Sequence, residues 1–128
     1  MAVSTITNVK VDEVSGILTA KWTCDGTSTA SSVFCGFTPR MVTLHAASTP
    51  GVTALVWWNE NMTAGTNGVT TSAGVSTING SNGITPLTGA EGAPAAAATG
   101  SPLSAGPGFT IGTAAQTASL VYILTAYR

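Results

Sequence analysis

The sequence predicts an all-β fold, an antiparallel β-sandwich of jelly-roll-like character carrying one long Ala/Gly/Pro loop, and three observations lead there. Apolar residues do not recur at helical i, i+3, i+4 spacing, and Gly, Thr, Ser and Val weaken every candidate helix. Short β-branched and aromatic runs lie instead between clusters of Gly, Asn, Asp and Pro. Those runs and turns repeat along most of the chain, the pattern of a sandwich or small barrel.

Taken in order, strands are expected near Ile6–Val11, Gly16–Thr23, Val33–Phe37, Met41–Ala47, Val52–Trp58, Val69–Ile78 with a break at Gly74, Gly108–Ile111 and Ala118–Tyr127. In the second run Leu18, Ala20 and Trp22 alternate with Thr19 and Lys21, so period two sends the first set inward. Asp25-Gly26 opens a turn toward Val33, Cys35 and Phe37, which reads as a hairpin or a longer loop between neighbouring strands. Leu120-Val121-Tyr122-Ile123-Leu124 is apolar at every position, which fits a central strand covered on both faces. Trp22, Phe37, Leu44, Leu120, Tyr122 and Leu124 are the expected core.

The 128 residues suit a single β-domain spanning 1–128. From Thr88 to Pro107 the composition changes to Gly, Ala, Ser and Pro. Ala95–Ala98 has room for one helical turn between Pro94 and Gly100. The 88–107 segment reads as an extended loop or arm within the domain, mobile by itself, ordered against a neighbouring subunit and dispensable for folding.

Charge is scarce. Lys, Arg, Asp and Glu make up 7% of the chain, against about 25% in an ordinary domain, and the net charge is −1. Few titratable groups are available to gather in a catalytic cleft. Lys10, Lys21, Arg40 and Arg128 form no obvious basic patch in the sequence, so no direct nucleic-acid partner is expected. No run reaches the roughly 18 apolar residues of a membrane span, and the first residues lack the features of a signal peptide, so no membrane partner is expected and synthesis is placed in a cytoplasm. Cys24 and Cys35 are read as buried reduced thiols, with a disulfide as the alternative, and with one histidine they cannot complete an ordinary zinc site. No cofactor or metal is expected.

No catalytic motif stands out. His45 lies on a strand with no G-x-S-x-G elbow in the chain, and Asp12-Glu13 sits in a turn, so an enzyme is not expected. Trp57-Trp58-Asn59-Glu60 is more informative. One Trp of such a pair goes inward and the other outward, where it anchors an interface, is covered, or stacks on a sugar beside Asn59 and Glu60. The interface candidates are Trp57, Trp58, Glu60, Met62, Ala95 and Pro102.

Several stretches together resemble, in overall style, the small structural proteins of tailed-phage virions. They are Thr5-Ile6-Thr7-Asn8, Asp25-Gly26-Thr27, Gly36-Phe37-Thr38-Pro39-Arg40, Trp57 to Thr66, Gly83-Ile84-Thr85-Pro86, Gly108-Phe109-Thr110-Ile111-Gly112 and Leu120–Tyr127. The resemblance implies a non-enzymatic capsid decoration (cement) protein on the virion surface, stabilising the head by binding between subunits of the major capsid protein. It also implies a homo-oligomer, a trimer by preference, since trimers suit threefold capsid positions. A head-fibre or tail-tip protein binding host glycans is the alternative.

Overall fold

The structure is a computed structural model and describes residues 3–47, 54–62, 68–72, 75–79 and 82–128. Among the described residues ten strands form in chain order: β1 Thr5–Asp12, β2 Ile17–Thr23, β3 Ser31–Phe34, β4 Met41–Ala46, β5 Ala54–Asn59, β6 Gly68–Ser72, β7 Val75–Asn79, β8 Ile84–Leu87, β9 Gly108–Ile111 and β10 Val121–Tyr127. Thr113–Ala115 makes one 3-10 turn. The strands build two antiparallel sheets, one of seven in the order β1-β2-β10-β4-β5-β6-β7 and one of three in the order β3-β9-β8. This is the all-β sandwich that the alternating runs predict.

Alternation decides which side chains enter the core. Leu18, Ala20 and Trp22 of β2, Val42 and Leu44 of β4, and Tyr122, Leu124 and Ala126 of β10 are buried, and their strand neighbours point the other way. Val33, Ile84, Phe109 and Ile111 of the small sheet meet them in one continuous apolar cluster. Burial of this surface is the main favourable term in folding. Of the expected core residues, Leu120 alone is only partly buried. It precedes β10, and its carbonyl accepts a hydrogen bond from the Cys24 amide at 2.9 Å.

Several expectations are corrected. β10 is central, but only one of its faces is covered, since Ile123 is 57% exposed and Tyr127 is 38% exposed. Uniform apolarity reflects here an uncovered outer face and not a second covering layer. β2 and β3 form no pair, because the chain crosses from the large sheet to the small one between them. β3 begins at Ser31, two residues before the expected Val33, because both buried serines are satisfied. The Ser31 hydroxyl accepts from the Ser4 amide at 3.0 Å and donates to the Thr29 carbonyl at 2.9 Å. The Ser32 hydroxyl is bonded to that of Thr110 at 2.8 Å. β8 is a strand beyond those expected, and it contains Pro86. β8 lies at the edge of the small sheet, where a missing N–H is tolerated. Val69–Ile78 divides into the β6–β7 hairpin. The proposed break at Gly74 and the strand start at Val52 lie outside the described residues.

The Thr88–Pro107 segment also departs from expectation. Ala95–Ala98 is not helical. Ala97 forms a parallel bridge to Ser32 and Thr99 one to Thr5, so the segment runs between the edges of β3 and β1. The Ser32 amide donates to Ala96 O at 2.9 Å and Ala98 N donates back to Ser32 O at 2.8 Å. Thr99 N donates to Ser4 O at 3.0 Å, and Ile6 N donates to Thr99 O at 2.8 Å. Ala98 enters the core at 3% exposure. At Gly100, φ is +91° and a Cβ would overlap the Ile6 carbonyl, so only glycine permits this approach.

Beyond that stitch the segment roofs the small sheet. Phe34 and Leu87 lie opposite each other across Gly108 and belong to a second buried pair outside the main cluster. They line a cleft of about 320 Å³ with Gly89, Glu91, Pro94 and Gly106 of the segment. A Cβ on Gly108 would overlap the Val33 carbonyl, so glycine lets the strands close beneath this roof.

Two outcomes test this description. Leu124→Ala, at a fully buried central position, should cost about 2–5 kcal/mol in denaturant unfolding, and Leu120→Ala clearly less. Equal costs would contradict the placement of β10. Deleting Gly89–Gly106 removes the stitch and uncovers Phe34 and Leu87, so the shortened chain should lose its cooperative thermal transition. A midpoint within a few degrees of the full chain would refute the stitching role.

Candidate functional site

The strands β1, β2, β10, β4 and β5 present a second face, opposite the core, and among the described residues no layer packs on it. Register places Thr7, Lys21, Ile123, His45 and Leu55 in one row across these strands. Lys10, Thr19, Thr125, Thr43 and Trp57 form the next row, and Asp12, Ile17, Tyr127, Met41 and Asn59 the one after. The result is a broad face of β-branched, aromatic and Thr side chains with few charges. An uncovered apolar surface of this kind marks a contact site more often than an idle one.

Toward the β1 edge this face dips into an open hollow of about 600 Å³, lined by residues that include Asn8, Lys10, Thr19, Lys21, Val121, Ile123 and Thr125. A β-bulge shapes it. Between the pairs Thr7↔Lys21 and Lys10↔Thr19, Asn8 and Val9 together oppose Ala20. Asn8 takes φ +53°, a left-handed conformation that Asn tolerates better than most residues. The extra residue restores the alternation, so Val9 and Val11 pack against the core while Lys10 faces outward.

The six candidate interface residues do not converge. Trp57 is half-buried on the outer face, in the row of Lys10 and Thr43, while Trp58 is 1% exposed and points into the core. Trp58 is therefore unavailable to a partner or a sugar, and the expected division of the pair holds, with Trp58 inward and Trp57 on the outer face. The Glu60 carboxylate accepts from Arg40 Nε at 2.6 Å and forms an ion pair with that guanidinium. Met62 packs against the core. Ala95 and Pro102 belong to the segment that closes the β1–β3 side, remote in strand order from β5. Sequence reasoning missed Lys10 and Lys21. They are eleven positions apart in the chain, and only the β1–β2 register, shifted by the bulge, brings them to the same hollow.

A buried polar network fixes the loops behind the face. Gln116 Oε1 accepts from Trp22 Nε1 and from the Ser4 hydroxyl, each at 3.0 Å, and its Nε2 donates to Thr29 O at 3.0 Å and Ile111 O at 3.3 Å. Trp58 Nε1, by contrast, is buried without a hydrogen-bond partner among the described residues. Asp25 accepts from the Thr27 and Thr29 hydroxyls at 2.7 and 2.8 Å and from the Thr29 amide at 2.7 Å, and these bonds hold its carboxyl well below the usual carboxylate range. The Ser15 and Val14 amides lower Asp12 in the same way, and the Thr88 and Gly89 amides lower Glu91. Four of the five acids therefore have partners already, Glu60 being the fourth. Glu13 is the one that makes no hydrogen bond or ion pair among the described residues.

His45 is exposed between Ile123 and Leu55, and among the described residues no hydroxyl or carboxylate is bonded to it. Among the described residues no three of His, Cys, Asp and Glu lie close enough to hold a metal ion. Cys24 and Cys35 are free and buried, and burial raises both thiols above their ordinary value. Among the described residues no helix is long and apolar enough to cross a membrane. No protein-family model matches the chain, and neither the curated proteins nor the solved structures provide a significant match.

The two buried tryptophans should respond differently to loss of the indole N–H. Trp22→Phe leaves the Gln116 carbonyl short of a donor, whereas Trp58→Phe removes a buried unpaired donor, a feature that costs about 1–3 kcal/mol when present. Trp22→Phe should be the more destabilising in urea unfolding. The reverse order would contradict the network. Asp12, Asp25 and Glu91 are all depressed in the folded state, so their contribution is present above the unfolded carboxylate values, about pH 4, and is lost as pH falls below them. The thermal midpoint should be level from about pH 7 to 5 and fall below about 4, and Asp25→Asn should lower it at pH 7 and shrink the acid-induced fall. An unchanged midpoint at pH 3 would refute this.

Proposed function

We propose that this chain is a non-enzymatic structural protein of a tailed-phage virion, acting as a capsid decoration protein that stabilises the head by binding between major capsid subunits. The observation that carries this reading is the uncovered outer face of the large sheet, where Ile17, Leu55, Trp57, Ile123 and Tyr127 share a rigid, sparsely charged surface. Such a face binds by shape and apolar contact, with no chemistry at its centre. The virion-style stretches of the sequence supply the rest of the proposal. On this reading the protein assembles as a trimer on the capsid surface, with the major capsid protein as its partner.

The test is co-sedimentation with undecorated heads, together with an electron-microscopy map of the parent particle. The full chain should bind heads saturably and raise their resistance to heat. Trp57→Ala should weaken retention at least tenfold, about 1.4 kcal/mol, because outward tryptophans are frequent anchors of binding energy. A map that shows the chain on a fibre or tail tip, or heads that fail to retain it, would overturn the decoration reading.

A further inference from the structure

Both lysines of the chain, Lys10 and Lys21, line the hollow on the outer face, Lys21 directly across from Ile123 in the same row and Lys10 in the adjacent row. Neither makes a hydrogen bond or an ion pair among the described residues, although the chain has one more acid than it has Lys and Arg. The two cations therefore stand uncompensated beside an exposed isoleucine. We propose that this hollow is the docking site for a different protein that presents Asp or Glu carboxylates next to an apolar side chain. The carboxylates would sit between Lys10 and Lys21, and the apolar side chain would cover Ile123. The inference rests on the decoration reading and adds to it the chemistry of the partner.

The identity of the partner class follows from what the chain itself can offer. A second copy would have to supply carboxylates. Asp12, Asp25, Glu60 and Glu91 are already held by hydrogen bonds or an ion pair within their own subunit, which leaves only Glu13. A self-contact would therefore leave lysines unpaired. A nucleic acid fits no better. Two lysines neutralise two phosphates, too few for the counterion release that drives such binding, and an isoleucine 57% exposed beside them gains nothing from a phosphate backbone. A protein surface with acids beside an apolar residue satisfies both parts of the hollow. A flexible lysine pair also suits steering and registration of a partner more than raw affinity.

Two measurements decide it. Lys10→Glu/Lys21→Glu should reduce retention on undecorated heads at least tenfold, and Lys10→Arg/Lys21→Arg should restore it. Binding of the parent chain should weaken as salt rises, since exposed ion pairs are screened. Both positions are exposed, and an unchanged thermal midpoint of each variant separates lost contact from lost fold. Retention of the Glu variant at the level of the parent chain overturns the hollow as the docking site and leaves the decoration reading standing. The second measurement is zero-length carbodiimide coupling, which joins an amine to a carboxylate in contact with it, applied to the assembled particle. Lys10 or Lys21 joined to an Asp or Glu that lies beside an apolar side chain of one other protein of the particle supports the proposal, even where that protein is not the major capsid protein and the decoration reading has failed. Coupling to Glu13 of a second copy, no coupling at either lysine, or loss of the contact on nuclease treatment overturns it.

Discussion

The structure depends on the pairing of its last strand. β1 and β2 form one hairpin and β4 to β7 one meander, and neither pairs with the other. β10 lies between them, bonded to β2 along its whole length and to β4 from Tyr122 to Tyr127. Its flanks are tied as well. Ala47 N donates to Val121 O at 2.7 Å, Arg40 N to Tyr127 O at 2.6 Å, and Arg128 N to Gly16 O at 2.7 Å. The large sheet becomes continuous only when residues at the C-terminal end of the chain reach a gap between residues in its first half. Pairings of such long sequence separation are slow to form and cooperative once made.

The second constraint is the union of two unequal sheets. Three short strands cannot protect their own outer face, and the Thr88–Pro107 segment performs that task while tying Ser32 to Ser4 and Ile6. Its Gly, Ala and Ser content, suggestive of a free arm, is instead what a chain needs to pass close between two strand edges. The Gln116 network adds a polar tie among Ser4, Trp22 and the loop carrying Thr29, with the donors and acceptors of that amide matched. Together these features leave one face of the molecule rigid and bare.

Sparse charge takes on meaning once the faces are known. Most acids serve inside the subunit, holding turns at Asp12, Asp25 and Glu91 or pairing with Arg40. The lysines stand on the bare face without partners. The net charge of −1 thus conceals an uneven distribution in which both lysines lie exposed on the bare face while most of the acids hold turns or pair with Arg40.

The sequence by itself determined the fold class, most strands and the inward set, because each rests on local alternation and on the conformational limits of Gly, Asn and Pro. Leu18, Ala20 and Trp22 needed nothing beyond period two. What depends on partners distant in sequence was not legible. Ser31 and Ser32 read as loop until their hydroxyls met Ser4, Thr29 and Thr110, and β8, which contains Pro86, was placed only by its pairing at a sheet edge. The apolar run of β10 gave its central position but not its single covered face, since alternation says nothing of which surface is left without a layer. The Trp pair was resolved only when register sent Trp58 inward, and Lys10 joined Lys21 only through a bulge whose effect on the β1 face no local pattern revealed. Local chemistry sets what each segment can be, and tertiary pairing decides which of its faces is buried and which remains to bind.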